Sequence, residues 1–220
     1  MTQFIYLHGF ASSPGSKKAA VFKSKFEEMG IPLEIPDLEG GDFQNMTLTR
    51  QMKVLHQCLE RSKNKEVCLI GSSMGGYLAV LTAQEKKEIR ALYLMAPGFN
   101  FLGRWMQKLD LIERDEASWP PLVPVFHYRY DEMRSIHSGL FKDAMKWDRI
   151  ELNRDLPIRI VHGIHDETVS ISESREFVRN RPWCHLKELD GDHSLVTQID
   201  WIVQDCLAFF RERCFLPNSS

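Results

Sequence analysis

The sequence predicts an α/β fold, with a mostly parallel central sheet and helices on both faces. Three observations carry that prediction. Short apolar runs alternate with helical stretches along most of the chain, the pattern of βαβ units. Most runs end in glycine or loop chemistry. One run, VCLI, feeds straight into Gly71-Ser72-Ser73-Met74-Gly75 and then into a helix. The 220 residues fit a single domain spanning 1–220. Residues 98–156 break the rhythm and are expected to form a cap or lid insertion within it.

The elements follow in order. Phe4–Leu7 is an apolar run ending in His8-Gly9, which predicts a buried strand and a tight loop. Ser16 is placed as a helix N-cap. Phe22, Phe26 and Met29 then recur at helical spacing, and Gly30 closes the helix. Leu33–Leu38 reads as a short strand that Pro36 confines to an edge or an end. Gln44–Arg61 reads as a helix with Val54, Leu55, Cys58 and Leu59 turned inward. Val67–Gly71 is the clearest buried strand, and a helix follows from Met74 to about Glu85. Ala91–Ala96, Ile158–His162 and His185–Leu189 read as further strands. The last helix is expected from Leu195 to Arg211, with Val196, Ile199, Val203, Cys206 and Phe210 as one buried stripe.

The insertion carries nine aromatic residues: Phe99, Phe101, Trp105, Trp119, Phe126, Tyr128, Tyr130, Phe141 and Trp147. An insert this long is usually functional. One reading is a lid that supplies an apolar substrate pocket. The other is a small helical subdomain whose aromatics form its own core.

Composition narrows the function classes. The chain has 28 Lys plus Arg against 30 Asp plus Glu, a formal charge of −2. Nucleic-acid binding needs a basic footprint, so it is not expected. No apolar run approaches the ~18 residues of a membrane helix. The N-terminus, MTQFIYLHGF, lacks the basic region and apolar stretch of a signal peptide; it reads as a strand that begins at once. Five cysteines at wide spacing, Cys58, Cys68, Cys184, Cys206 and Cys214, point to reduced thiols in a cytoplasmic protein.

Chemistry concentrates after the strands, where parallel sheets hold their ligands. Residues 71–75 match G-x-S-x-G, and only Ser73 fits its register. A serine on a sharp strand-to-helix turn has a strained backbone and needs small neighbours; Gly71 and Gly75 supply them, and Gly76 permits close helix packing. The hydroxyl then projects at the helix N-terminus, where the Met74 N–H can receive an oxyanion. Serine needs a base held by a third group. Asp166 follows the strand IRIVH, and His193 follows the strand ending near Leu189. The chain order is Ser, Asp, His. His8-Gly9-Phe10 follows the first strand, which places the second oxyanion N–H on Phe10, with His8 and Gly9 supporting the loop.

HGF, GSSMGG, HGIHDETV and GDHSL, in that order, resemble the motifs of an α/β-hydrolase superfamily serine hydrolase. The resemblance covers nearly the whole chain outside residues 98–156. Within the superfamily, YLHGFASSPGSKK is similar to the oxyanion loop of small YqiA-type bacterial esterases. A second similarity is to soluble acyl-thioesterases, whose insert sits at the same place. A single glycine before Phe10, in place of the glycine run of many lipases, implies poor fit for esters of bulky tertiary alcohols. The leading strands of larger members do not precede Phe4.

Each role has rivals in the sequence. Glu167 and Asp192 compete with Asp166; Asp192 is expected to stabilise its own turn. His162 is expected to face the core or its loop, and His165 to face solvent. Ser72 and Ser194 read as local hydrogen-bonding residues. Lys17, Lys18, Lys23 and Lys25 read as the solvated face of a helix. Arg129 and Arg134 could meet a substrate carboxylate, although surface arginines are common. Spacing around His162 and His165 gives no second ligand cluster, so no metal is expected. Neither G-x-G-x-x-G nor a phosphate-loop motif occurs, so no cofactor is expected.

The sequence therefore predicts hydrolysis of carboxylic esters or thioesters of short to medium acyl groups, through an acyl-enzyme. The partner is a small acyl ester or thioester. The alternatives are a small-peptide hydrolase on the same residues, or a ligand-binding hydrolase-fold protein with little turnover. The rate should rise with pH as His193 loses its proton. The oligomeric state is open.

Overall fold

The computed structural model describes residues 2–62, 65–112 and 115–217. Its six-stranded sheet is wholly parallel. The strands are β1 (Gln3–Leu7), β2 (Leu33–Glu34), β3 (Val67–Ser72), β4 (Ile89–Met95), β7 (Ile158–Gly163) and β8 (Cys184–Leu189), in the spatial order β2-β1-β3-β4-β7-β8. The connecting helices are α1 (Lys17–Glu28), α2 (Leu48–Arg61), α3 (Met74–Glu85), α6 (Ile171–Val178) and α7 (Ile199–Glu212). The strand order reverses at β1, so the loops leaving β1 and β3 flank the crevice where such sheets bind ligands.

Alternation along each strand builds two cores. Phe4 and Tyr6 of β1, Cys68 and Ile70 of β3, and Ala91, Tyr93 and Met95 of β4 face α1 and α7. Ile5, Leu7, Val67, Leu69, Leu92 and Leu94 face α2 and α3. Covered on both sides, these strands read as continuous apolar runs. Phe209 and Phe210 of α7 are fully buried, each a contribution of about 1.5–3 kcal/mol. Ser16 caps α1 by accepting from the Ala19 N–H at 3.4 Å, worth about 1 kcal/mol.

Three boundaries differ from the sequence reading by four residues. The second strand stops at Glu34. Pro36 lacks an N–H, and the Leu38 N–H is used by the His8 ring, so no ladder continues to Leu38. The helix expected from Gln44 begins at Leu48, capped by Thr47 Oγ1 on the Arg50 N–H. Gln44 instead accepts from the His137 N–H. The last helix begins at Ile199 because Leu195 takes a left-handed φ of 52°. Val196 therefore lies outside it, while Ile199, Val203, Cys206 and Phe210 form the expected stripe.

Residues 98–156 hold α4 (Phe101–Lys108), a 3₁₀ turn, the antiparallel hairpin β5 (Leu122–His127) and β6 (Glu132–His137), and α5 (Gly139–Trp147). The hairpin is absent from the sequence reading, which offers a lid or a small helical subdomain. Phe101, Trp119 and Phe141 join the α2–α3 core directly, so these aromatics do not make a separate one. Phe126, Tyr128 and Tyr130 are exposed.

Candidate active site

Ser73 sits between β3 and α3 with φ 53° and ψ −118°. A left-handed φ is strained for a side-chain-bearing residue. Four backbone bonds hold it: Ser73 N–H donates to Met95 O at 2.9 Å, and Ser73 O accepts from Gly76 at 2.9 Å, Gly98 at 3.0 Å and Tyr77 at 3.3 Å. The flanking glycines are sterically required. A Cβ on Gly71 would lie 2.6 Å from Gly76 Cα, and one on Gly75 would lie 2.6 Å from His8 O.

Ser73 Oγ lies 3.1 Å from His193 Nε2, and His193 Nδ1 lies 2.7 Å from Asp166 Oδ2. The carboxylate can only accept, so Nδ1 carries the proton and Nε2 faces the hydroxyl as an acceptor. The Asp166 side chain is 0% exposed. Its other oxygen accepts from the Thr168 and Val169 N–H groups at 2.9 and 2.7 Å. Burial pushes this carboxyl up, but hydrogen bonds from His162 and His193 outweigh it and hold the group well below the usual carboxylate range.

The sequence places His162 against the core or its own loop. It is fully buried, and it also touches Asp166. Its Nε2 lies 2.9 Å from Val169 O, which only accepts, so that nitrogen is protonated and shares its hydrogen with Asp166 Oδ2 at 3.1 Å. The Ser174 hydroxyl donates to its Nδ1 at 2.8 Å. Asp166 is thus braced by two imidazoles. Gly163 brings the two loops together: a Cβ there would lie 2.6 Å from Asp192 O. The glycine after IRIVH was the available signal for this contact.

The loop after β1 approaches Ser73 from the other side. A Cβ on Gly9 would sit 3.4 Å from Ser73 Cβ. His8 is buried, and its Nε2 accepts from Leu38 N–H at 3.1 Å. Its Nδ1 therefore donates to Gly9 O at 3.0 Å. Burial lowers the His8 pKa, which keeps that neutral tautomer. Gly9 C=O and Phe10 N–H belong to one planar peptide and point oppositely, so this bond fixes the direction of the Phe10 N–H. Among the described residues, neither Phe10 N–H nor Met74 N–H donates to a protein acceptor.

The rivals lie elsewhere. His165 is 67% exposed and pairs with Asp190 at 2.9 Å. Asp192 closes its own turn, accepting from Ser194 Oγ at 2.7 Å and Leu195 N–H at 3.0 Å. Glu167 is exposed. Ser72 is buried at the end of β3. Lys18 is a correction to the solvated-face reading: it is half-buried, and burial lowers its ammonium to about 8, against the pull of Asp166 and Asp192. Arg129 is engaged by Asp37 at 3.0 Å and Glu39 at 3.6 Å. Arg134 pairs with Glu132 at 2.8 Å and lies over the Tyr130 ring. Among the described residues, no three His, Cys, Asp or Glu side chains form a metal-holding group.

A family model described as "Uncharacterised protein family (UPF0227)" matches residues 3–211. The chain belongs to the UPF0227 family. No curated protein matches this UPF0227 sequence. Solved structures do. Est1E from Butyrivibrio proteoclasticus, with ferulic acid bound, aligns at a TM-score of 0.81 and 19% identity, covering 96% of this chain and 89% of that one. Alpha/beta hydrolase domain-containing protein 10 from mouse aligns at 0.75 and 18%, covering 96% and 90%. A structure of the metagenome-derived lipolytic enzymes LipS and LipT aligns at 0.75 and 16%, covering 96% and 94%. The UPF0227 chain has the α/β-hydrolase fold. No helix among its described residues is long and apolar enough to cross a membrane.

Proposed function

We propose that this chain is a serine hydrolase that cleaves carboxylic esters or thioesters of short to medium acyl groups. The observation that carries the reading is the hydrogen-bonded series Ser73–His193–Asp166, with two unengaged backbone N–H groups beside it. Ser73 Oγ attacks the acyl carbon while its proton passes to His193 Nε2. Asp166 holds the imidazole tautomer and stabilises the imidazolium. The carbonyl oxygen becomes an oxyanion on the Phe10 and Met74 N–H groups, each worth about 3–4 kcal/mol. Collapse breaks the bond to the alcohol or thiol, which takes the proton from His193. Water then attacks the acyl-enzyme, gives its proton to His193, and releases the acid as Ser73 is reprotonated.

Residues 98–156 act in this reading as a cap on a single hydrolase domain. Phe101 and Trp105 of α4 pack on Phe10, with ring centroids 6.0 and 5.5 Å away, and give the acyl group an apolar wall. The bound ferulic acid of Est1E and the lipolytic relatives support an acyl substrate. Five unpaired thiols, four of them buried, support a reducing compartment such as the cytoplasm.

The test is labelling with a fluorophosphonate probe, wild type beside Ser73→Ala, with p-nitrophenyl acetate, butyrate and octanoate turnover in parallel. Labelling and turnover that both vanish in the variant are expected. Folded wild type that takes no label would sink the activated serine.

A further inference from the structure

Arg104 stands beside the site on α4 and was not singled out from the sequence. Its Nη1 pairs with Glu173 of α6. Glu173 is anchored in turn by the Asn100 N–H at 2.9 Å, and the stacked rings of Phe99 and Phe177, 4.0 Å apart, close the same junction. The other edge of the guanidinium turns inward. A Cβ on Gly98 would lie 2.9 Å from Arg104 Nη2, 3.7 Å from Met74 N and 3.7 Å from Ser73 C. Nη2 and the Ser73–Met74 peptide therefore border the same point above Gly98, and in the proposed reaction the N–H of that peptide faces the reacting carbonyl. No protein acceptor is found for Nη2 among the described residues. The Arg104 side chain is only 24% exposed, so a partner there would be recognised with little competition from water.

We propose that Arg104 selects esters whose acyl group ends in a carboxylate, through the guanidinium edge that Glu173 leaves free beside the Met74 amide. This rests on Ser73 being the nucleophile. The acyl side follows from the two faces of the sheet. His193 comes from the loop entering α7, whose Leu195 belongs to the α1–α7 face. Arg104 is held by α6, whose Phe177 belongs to the opposite face. The leaving group must meet His193 to take its proton, so the group lying toward Arg104 is the acyl chain. A planar fork suits a carboxylate and fixes its direction. Phe101 and Trp105, on the same helix, line the methylenes between the two ends.

The experiment compares monomethyl glutarate with methyl pentanoate, an acid-ended and a methyl-ended acyl chain of equal length. The ratio of their kcat/KM values is measured in wild type, Arg104→Met, Arg104→Lys and Glu173→Gln, with fluorophosphonate labelling of each. Wild type is expected to favour the glutarate ester at least tenfold. That ratio should fall at least tenfold in Arg104→Met and recover in part in Arg104→Lys. It should rise in Glu173→Gln, where the guanidinium no longer shares its charge with a protein carboxylate. The lysine and glutamine variants keep a polar partner in place, so they report even if the methionine variant misfolds. Labelled enzyme with the same ratio in wild type and the Arg104 variants would overturn the proposal while leaving Ser73 as the nucleophile. A ratio that falls in Glu173→Gln would mark the pair as a structural clamp and also overturn it. Wild type without labelling would overturn both readings.

Discussion

Replacing Asp166 by Asn alters one atom and reverses the logic of the site. Asp166 accepts four hydrogen bonds: two from backbone N–H groups on one oxygen, and two from His162 and His193 on the other. An amide has a single oxygen. The two backbone donors, at 2.9 and 2.7 Å, cannot turn away, so the oxygen stays with them and the NH₂ faces the imidazoles. His193 must then accept at Nδ1 and carry its proton on Nε2, against Ser73 Oγ. On the proposed reading the base is lost while the geometry is kept. In established Ser-His-Asp sites the same exchange costs about 10⁴ in kcat, or about 5.5 kcal/mol. His162 retains Val169 O as acceptor, so the stability cost is mainly the charge-assisted bond to His193, about 1.5–3 kcal/mol. For a chain of this size that is a Tm lower by roughly 3–12 °C. The sign with pH follows from the depressed Asp166 pKa. A carboxylate held low contributes its stability in full above its unfolded value of ~3.9 and loses it as pH falls through the folded value. The Tm gap between wild type and variant should therefore be widest near neutral pH and close in acid. The assay is p-nitrophenyl butyrate turnover with thermal melts across that range. A folded variant with kcat within tenfold of wild type would refute the reasoning and redirect attention to Glu167 or Asp192.

Two further predictions concern the frame of the site. Gly163→Ala places a Cβ 2.6 Å from Asp192 O, which forces the Asp166 and His193 loops apart. A stability loss on the order of 3 kcal/mol and loss of esterase turnover are expected, and unchanged urea unfolding would exclude that packing. Glu39 is pushed up to about 7 by burial and by Asp37, against Arg129 and Arg134. Its folded form holds a proton that the unfolded chain has released, so its contribution to stability falls as pH rises from about 4.5 to about 7. Glu39→Gln should remove that slope, so the stability of wild type relative to the variant should drop across this window in urea titrations. A difference constant with pH would contradict it.

The parts legible in the sequence are those set by a few neighbouring residues. Gly71-Ser72-Ser73-Met74-Gly75 between an apolar strand and a helix specifies a sharp turn, because only glycine fits where backbone meets backbone. The two-sided apolar strands reported a parallel sheet, because such a sheet is covered on both faces. The hairpin Leu122–His127 with Glu132–His137 was not legible. Pro124 lies inside the first strand, where a proline argues against a strand, and Phe126 and Met133 sit on the hairpin's open face, so polarity does not mark the buried side.

The sequence by itself determined the fold class, the loops and turn on which Ser73, Asp166, His193 and Phe10 lie, and the helix that Met74 opens. It did so because strand, turn and helix are encoded by residues within a turn or two of one another. Only the tertiary structure decided which side chains meet. His162 reaches Asp166 and Ser174 together, His127 approaches Glu39 across 88 positions at 2.8 Å, and Arg104 joins Glu173 above Gly98. Such contacts have no period and no motif. They depend on how a sheet of fixed strand order lays distant loops side by side, which becomes definite when the two cores pack.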